Sequence, residues 1–315
     1  MTLFLVRRFS TLLLTLLIVS VVVFAVMNVL PGDPSLVILG IDSTPEAQAA
    51  LREKMGLNVP APTRYWQWIT GALVGDFGIS YSFDLPVAML ITERLPVTLP
   101  LALMATVATV SVALALGVFA AIRHGKPGDW GVMALSQLGI AVPAFWLGML
   151  LILLVAVRLR LLPAGGFPGW SDPVEAVKAL ILPAVALALV QSAILTRVVR
   201  SSVLEVMRLD FARTARAKGL SRGAVFRRHV LPNALIPIVT IIGMQIANLV
   251  TGTIVIENVF SLPGLGRLLF QSIANRDLFT VQALVLLFAA VVVVSNFIVD
   301  VGYAAIDPRL KDRLT

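Results

Sequence analysis

The chain has 315 residues, 58% hydrophobic and only 13% charged, with a formal net charge of +8 and a mean hydropathy of +0.95. A soluble domain carries about 25% charged residues, so this composition points to a chain that lives in a bilayer. No cysteine is present, which excludes disulfides and thiolate chemistry, and the two histidines, His124 and His229, leave little for a metal site or a catalytic base.

A helix that crosses a membrane needs about 20 mostly apolar residues. The first such stretch runs from Phe9 to Leu30, behind Arg7 and Arg8. Its apolar run exceeds the roughly 7–15 residues of a signal peptide, and "VMNVLPGDPS" offers no small-x-small cleavage site, so it reads as a retained span. Residues 31–96 then form a loop long enough to have structure of its own. Within it, "STPEAQAALREKMGL" predicts a short helix, with Ser43 and Glu46 as a capping box, Pro45 in the first turn and Gly56 as the stop. The following "RYWQWITGALVGDFG" places Trp66, Ile69 and Leu73 on one helical face. Such a face suits a helix lying on the outer membrane surface, and a packed ectodomain helix has the same period.

Five further spans follow, at Val97–Ile122, Val132–Val157, Leu180–Val199, Leu235–Ile256 and Val281–Tyr303. Six such stretches with so few charges between their ends exclude a set of buried core helices in a soluble protein. The predicted fold class is therefore an all-α membrane protein with six transmembrane helices and a structured outer loop after the first. The loop "LPAGGFPGW" (Leu162–Trp170) is dense in Gly and Pro and predicts tight turns. In "ENVFSLPGLGRLLFQSIANRD" (Glu257–Asp277), a turn precedes a short amphipathic stretch, either re-entrant or lying on the surface. No internal repeat or low-complexity linker divides the chain, so residues 1–315 read as one membrane domain.

Charge sets the orientation. With both termini inside, 16 of the 25 Lys and Arg residues fall on the inner side and 9 on the outer, as the positive-inside rule requires. That puts residues 31–96 outside and residues 200–234 in the cytoplasm. No phosphate-cradling G-x-x-x-x-G-K-[ST] loop, H-E-x-x-H or G-x-S-x-G occurs. The chain therefore reads as a passage or a scaffold rather than an enzyme, with no catalytic residue and no metal.

The exception to the oily composition is "DFARTARAKGLSRGAVFRRHVLPNALIP", from Asp210 to Pro237. Val203, Met207, Phe211 and Ala215 recur at helical spacing with Arg213 and Arg216 opposite, which predicts an amphipathic helix before Gly219. Gly219 suits its left-handed stop, and Ser221 the cap of a following helix carrying Val225, Phe226 and Val230 on one face. Pro232 and Pro237 then disturb the backbone where the fifth span begins. The product is a compact basic helix–turn–helix. Three roles fit it: a loop that only fixes topology, a surface for lipid headgroups or nucleic acid, and a docking element for a protein partner.

The insert resembles the cytoplasmic "EAA" loop of ABC-importer permeases. Aligned on Gly219, the chain has Arg213-Thr214-Ala215, then Gly219, His229 and Leu231-Pro232. Ala215, Gly219, Leu231 and Pro232 match the general pattern, whereas Arg213, Thr214 and His229 depart from it. The departures leave the loop's role standing, because "RTARAKGLS" and "NALIP" are similar to what the peptide/nickel branch of the family has. "GDFGISY" (Gly75–Tyr81), "RLPVTLPLAL" (Arg94–Leu103), "PAFWLG" (Pro143–Gly148), "IENVFSLPGLG" (Ile256–Gly266) and "DPR" (Asp307–Arg309) extend the resemblance over nearly the whole chain.

The resemblance implies the type I importer architecture in a bacterial cytoplasmic (inner) membrane, crossed several times with both termini cytoplasmic. It implies a second homologous permease subunit, two ATP-binding cassette subunits and an extracytoplasmic solute-binding protein, with membrane lipid around the spans and no nucleic acid. ATP is bound by the partner subunits, so this chain holds no cofactor. Arg213, Thr214, Ala215, Arg216, Ala217, Lys218, Gly219 and Leu220 become the ATPase-docking residues. Peptides, glutathione-like molecules, nickel chelates and opines all fit the branch as cargo.

In the fifth span, Gln245 and Asn248 lie three apart and are expected to share a face lining the substrate path with the partner permease; hydrogen bonding between helices explains them equally well. The alternative function is a secondary transporter driven by an ion gradient, which intramembrane acids would favour. Only Asp300 and Glu257 are candidates, near span ends where water reaches them. A lipid-binding scaffold is the third class.

Overall fold

The computed structural model describes residues 2–29, 35, 39–40 and 43–306. The "DPR" triplet at Asp307–Arg309 and the first residues of the outer loop, from Pro31 to Pro34, lie outside the described residues. The described chain is helical apart from one small antiparallel hairpin, β1 (Ile79–Ser80) with β2 (Leu85–Pro86), in which Ile79 faces Pro86 and Ser80 faces Leu85. Among the described residues, five helices are long and apolar enough to cross a membrane, and a bent helix pair brings the number to six if it is counted as one span. The contacts divide the chain into two compact units.

The first unit comprises Thr2–Leu99 and Leu262–Val294. It opens with α1 (Thr2–Val29), followed by the loop helices α2 (Pro45–Lys54) and α3 (Ala61–Leu73). The cap of α2 is Thr44, not Ser43: Thr44 Oγ1 accepts from Ala47 N at 3.3 Å. Ser43 instead donates to Gly40 O at 2.7 Å and accepts from Gln48 Nε2 at 3.0 Å, in the turn before the helix. Gly56 ends α2 as expected, at φ +65°.

Helix α3 packs on the C-terminal half of α1. Tyr65 stands edge-on to Phe24 at 5.3 Å and Trp68 stacks on the same ring at 6.3 Å. The Tyr65 hydroxyl and Ser20 Oγ are 2.9 Å apart, and Arg64 Nη2 donates to Asn28 Oδ1 at 2.5 Å. Trp66 and Leu73, from the face read in the sequence, point away from this packing at 67% and 82% exposure.

The first turns of α4 (Val87–Ile122) and α12 (Leu278–Ile306), with α11 (Leu265–Ala274) between them in sequence order of the unit, complete it. Thr98 Oγ1 accepts from Leu265 N at 2.9 Å, capping α11. Asp277, fully buried, precedes α12, accepts from Thr280 Oγ1 at 2.9 Å and is bonded by Ser80 Oγ of the hairpin. Burial and that carboxylate push the neighbouring Tyr81 phenol up.

The second unit comprises Pro100–Ser261 and the end of α12 from Ser295. Its centre is α7 (Pro173–Arg208), on which α5 (Pro127–Ala141), α6 (Ala144–Leu151) and α10 (Leu231–Val259) pack. The predicted third span is not one straight helix. The pair formed by α5 and α6, the latter prolonged by a π-helical turn at Ile152–Arg158, bends by 100°. The cause is local: Val142 is extended (φ −98°, ψ 124°) because it precedes Pro143, whose ring disfavours the helical region there and which has no N–H to offer.

At one end of α7, Arg200 forms a two-pronged ion pair with the buried Asp129 of α5. Nε lies 2.6 Å from Oδ1 and Nη2 2.8 Å from Oδ2, while Gly125 N and His124 of the preceding loop close on the same carboxylate.

Candidate functional site

The basic insert forms a helix–turn–helix that is part of the second unit's core. It is not a continuation of α7. That helix stops at Arg208; Leu209 is extended (φ −69°, ψ 150°), and α8 (Asp210–Ala217) starts afresh. No Pro or Gly forces the break. Arg216 stabilises it from the far end of α8, donating from Nη2 to Met207 O and from Nε to Ala212 O, both at 3.2 Å. It thereby satisfies a carbonyl that the end of α7 leaves without a helical donor.

The break rotates the apolar stripe. The expected Phe211 and Ala215 face becomes an Ala212 and Ala215 face, 1% and 7% exposed, while Phe211 is 41% exposed. The two alanines join one buried cluster with Val199, Val203 and Val206 of α7, Val225 and Val230 of the next helix, and Ala234 and Ile238 of α10. Side chains this small let α8 lie close to its own spans. Ala215 therefore serves internal packing, as its place in the apolar stripe predicts, and lies beneath the other expected docking residues rather than among them on the surface.

Gly219 stops α8 at φ +85°. Gly219 N donates to Arg216 O at 3.0 Å and Leu220 N to Ala215 O at 3.3 Å, the paired bonds of a left-handed helix stop. Ser221 Oγ then accepts from Ala224 N at 3.3 Å and caps α9 (Arg222–Val225), as its position predicted. A π-helical turn at Phe226–Val230 leads into α10. Pro232 and Pro237 are absorbed without a break, so Arg222–Val259 is one long apolar helix. The wide turn immediately before Pro232 makes room for a ring that a tighter turn would clash with.

Of the eight residues singled out for docking, Arg213, Thr214, Arg216, Ala217, Lys218, Gly219 and Leu220 are exposed and contiguous, and Ala215 lies beneath them. Arg216 is half committed to its own backbone. Phe211, which the sequence places on the apolar face, is an exposed aromatic, and Leu209 (45%) and Leu220 (37%) are exposed as well. Only the helix break, which the local sequence does not signal, turns Phe211 outward.

Gln245 and Asn248 do not share a face. Gln245 is 5% exposed and donates from Nε2 to Gln191 O of α7 at 3.1 Å, which is hydrogen bonding between helices. Asn248 is exposed, in line with Met244, Thr251 and Val255. Residues three apart are about 60° apart around a helix, and here the edge of the buried stripe falls between them. Glu257 is fully buried rather than reached by water, and neither it nor Asp300 is free of interactions.

The model of the family described as binding-protein-dependent transport system inner membrane component matches residues 113–312, and its N-terminal companion matches residues 1–102. A protein of Brucella abortus (strain 2308) named as a peptide transport system permease is 41% identical over 312 residues, covering 99% of each chain. The glutathione transport system permease protein GsiC of Salmonella choleraesuis is 40% identical over 308 residues, covering 98% of each. Among solved structures, the MetNI methionine ABC transporter in inward-facing conformations shares the fold, with a TM-score of 0.57 at 20% identity over 70% of this chain and 97% of that one.

Proposed function

We infer that this chain, which belongs to the family of binding-protein-dependent transport system inner membrane components, is the permease subunit of an ATP-driven importer that takes its cargo from an extracytoplasmic binding protein. The names of its relatives, for peptide and for glutathione transport, support peptides and related small solutes as the cargo. Family membership favours this reading over an ion-driven secondary transporter.

One observation carries the mechanism. The helix–turn–helix around Gly219 shows an exposed face on one side, while on the other it shares a core with α7 and α10. A partner that grips the exposed face moves α8 and the spans together. We assign that face, Phe211, Arg213, Thr214, Arg216, Ala217, Lys218, Gly219 and Leu220, to docking of an ATP-binding cassette subunit, with Ala215 packing it onto the spans. ATP belongs to that partner. Two such subunits and a second homologous permease complete the assembly. Charge places this loop and both termini in the cytoplasm and residues 31–96 outside. Asn248, exposed on α10, is assigned to the substrate path; Gln245 is not.

The test is uptake of a labelled tripeptide by proteoliposomes holding the complete transporter. Uptake that requires ATP and the ATPase subunits supports the reading. Uptake driven by an ion gradient with no ATP would overturn it.

A further inference from the structure

A groove of about 490 Å³ lies between α5 and α7, and none of its lining residues belongs to the docking segment 211–220. Its floor is apolar: Met133 and Ile140 of α5, two turns apart, face Ile194 and Val198 of α7. Its rim is basic and polar, formed by Arg197, Arg200 and Ser201. On α7, residues 194, 197, 198 and 201 follow the spacing of one helix face over about 10 Å.

Charge accounting separates the two arginines. Arg200 is neutralised by Asp129, at 2.6 and 2.8 Å. Arg197 is exposed and has neither an ion pair nor a hydrogen bond among the described residues. One uncompensated guanidinium therefore stands at the rim of an apolar trough on a membrane-spanning helix, next to a guanidinium that Asp129 holds rigid. Trp130, 72% exposed, sits one turn from Met133 towards the start of α5, the residue type that marks the headgroup level. An unpaired guanidinium near the headgroup level attracts an anion, and the apolar trough below suits hydrocarbon. A single molecule that supplies both is an anionic phospholipid.

We propose that the groove between α5 and α7 binds an anionic phospholipid, its phosphate held by Arg197 beside Arg200 and an acyl chain lying on Met133, Ile140, Ile194 and Val198. The assignment rests on the reading above that these helices cross the membrane, and in that orientation the lipid belongs to the cytoplasmic leaflet. Its test needs no transport, so its failure leaves the importer reading standing.

The transporter complex, isolated through a tag on this chain, is washed in mild detergent, and its retained phospholipids are counted by mass spectrometry. Removing one charge-assisted contact in Arg197→Gln should lower retained anionic phospholipid about tenfold. Arg197→Lys should keep most of it, as should Lys126→Gln, which removes an exposed cation outside the groove. Ile140→Trp, which fills the trough and leaves the charge, should also lose lipid. Equal retention in wild type and Arg197→Gln would overturn the proposal. So would efficient cross-linking of Ile194→Cys to a second permease chain, which would make the groove a protein interface.

Discussion

Replacing Gly219 with valine separates docking from every other use of the basic loop. Gly219 sits at φ +85°, and a Cβ built there meets nothing within 4 Å. The cost is therefore backbone strain without a clash, about 1–2 kcal/mol for an L-residue in the left-handed region, and a β-branched residue is an outlier there. Against that strain stand the two bonds of the helix stop, at 3.0 and 3.3 Å, worth about 0.5–1.5 kcal/mol each. The terms are of similar size, so in Gly219→Val the turn divides between native and opened forms. The ratio of native to opened turn falls by a factor of about 5 to 30, which leaves on the order of half of the chains docking-competent. Ala212, Ala215 and Val225 stay packed, so the permease should reach the membrane in normal amount. Substrate-stimulated ATP hydrolysis and uptake, measured in proteoliposomes of the whole transporter, should fall together. Gly219→Asn, which tolerates positive φ, should stay close to wild type. Full coupling in Gly219→Val, with loss in the Arg227→Gln, Arg228→Gln double variant, would refute the reasoning and assign the loop to lipid.

Asn248→Leu should lower transport without loss of assembly, whereas Gln245→Leu, which gives up one bond to Gln191 O, should leave uptake intact and cost about 1 kcal/mol of stability. Normal uptake in Asn248→Leu would remove that residue from the path. Asp129→Asn should destabilise the permease by about 3 kcal/mol in thermal unfolding, because it strands Arg200, and the Asp129→Leu, Arg200→Leu pair should recover most of that. Equal Tm values for the single and double variants would count against the pair as drawn. A cysteine at Ser43 should react with an impermeant reagent from outside only; labelling from the cytoplasm alone would invert the topology.

The spans were legible because hydrophobic run length depends on composition, which the sequence states directly. The stops at Gly56 and Gly219 were legible because left-handed backbone favours one residue type. Missed features depend on partners distant in sequence, or on weighing one local signal against another. Thr44 competes with Ser43 for one cap, and only the observed bond to Ala47 decides. The Leu209 break is held by Arg216, seven residues on, so the face it turns outward was misassigned. Asp129 and Arg200 are 71 residues apart, and nothing local marks either as paired. The bend before Pro143 was written in the sequence, but the apolar run concealed it.

That bend limits what can surround the third crossing. Between α5 and α6 the helical ladder is interrupted, so the first amides of α6 and the last carbonyls of α5 have no continuous run of helical partners. Hydrocarbon cannot solvate such groups, and irregular backbone at membrane depth persists only against protein or water. Pro143 is nevertheless exposed on the isolated chain. The backbone at Val142 and Pro143, which are not among the residues lining the groove between α5 and α7, is thus a stretch of surface from which lipid tails are barred, and in the assembled membrane either another polypeptide or a hydrated cavity must lie against it.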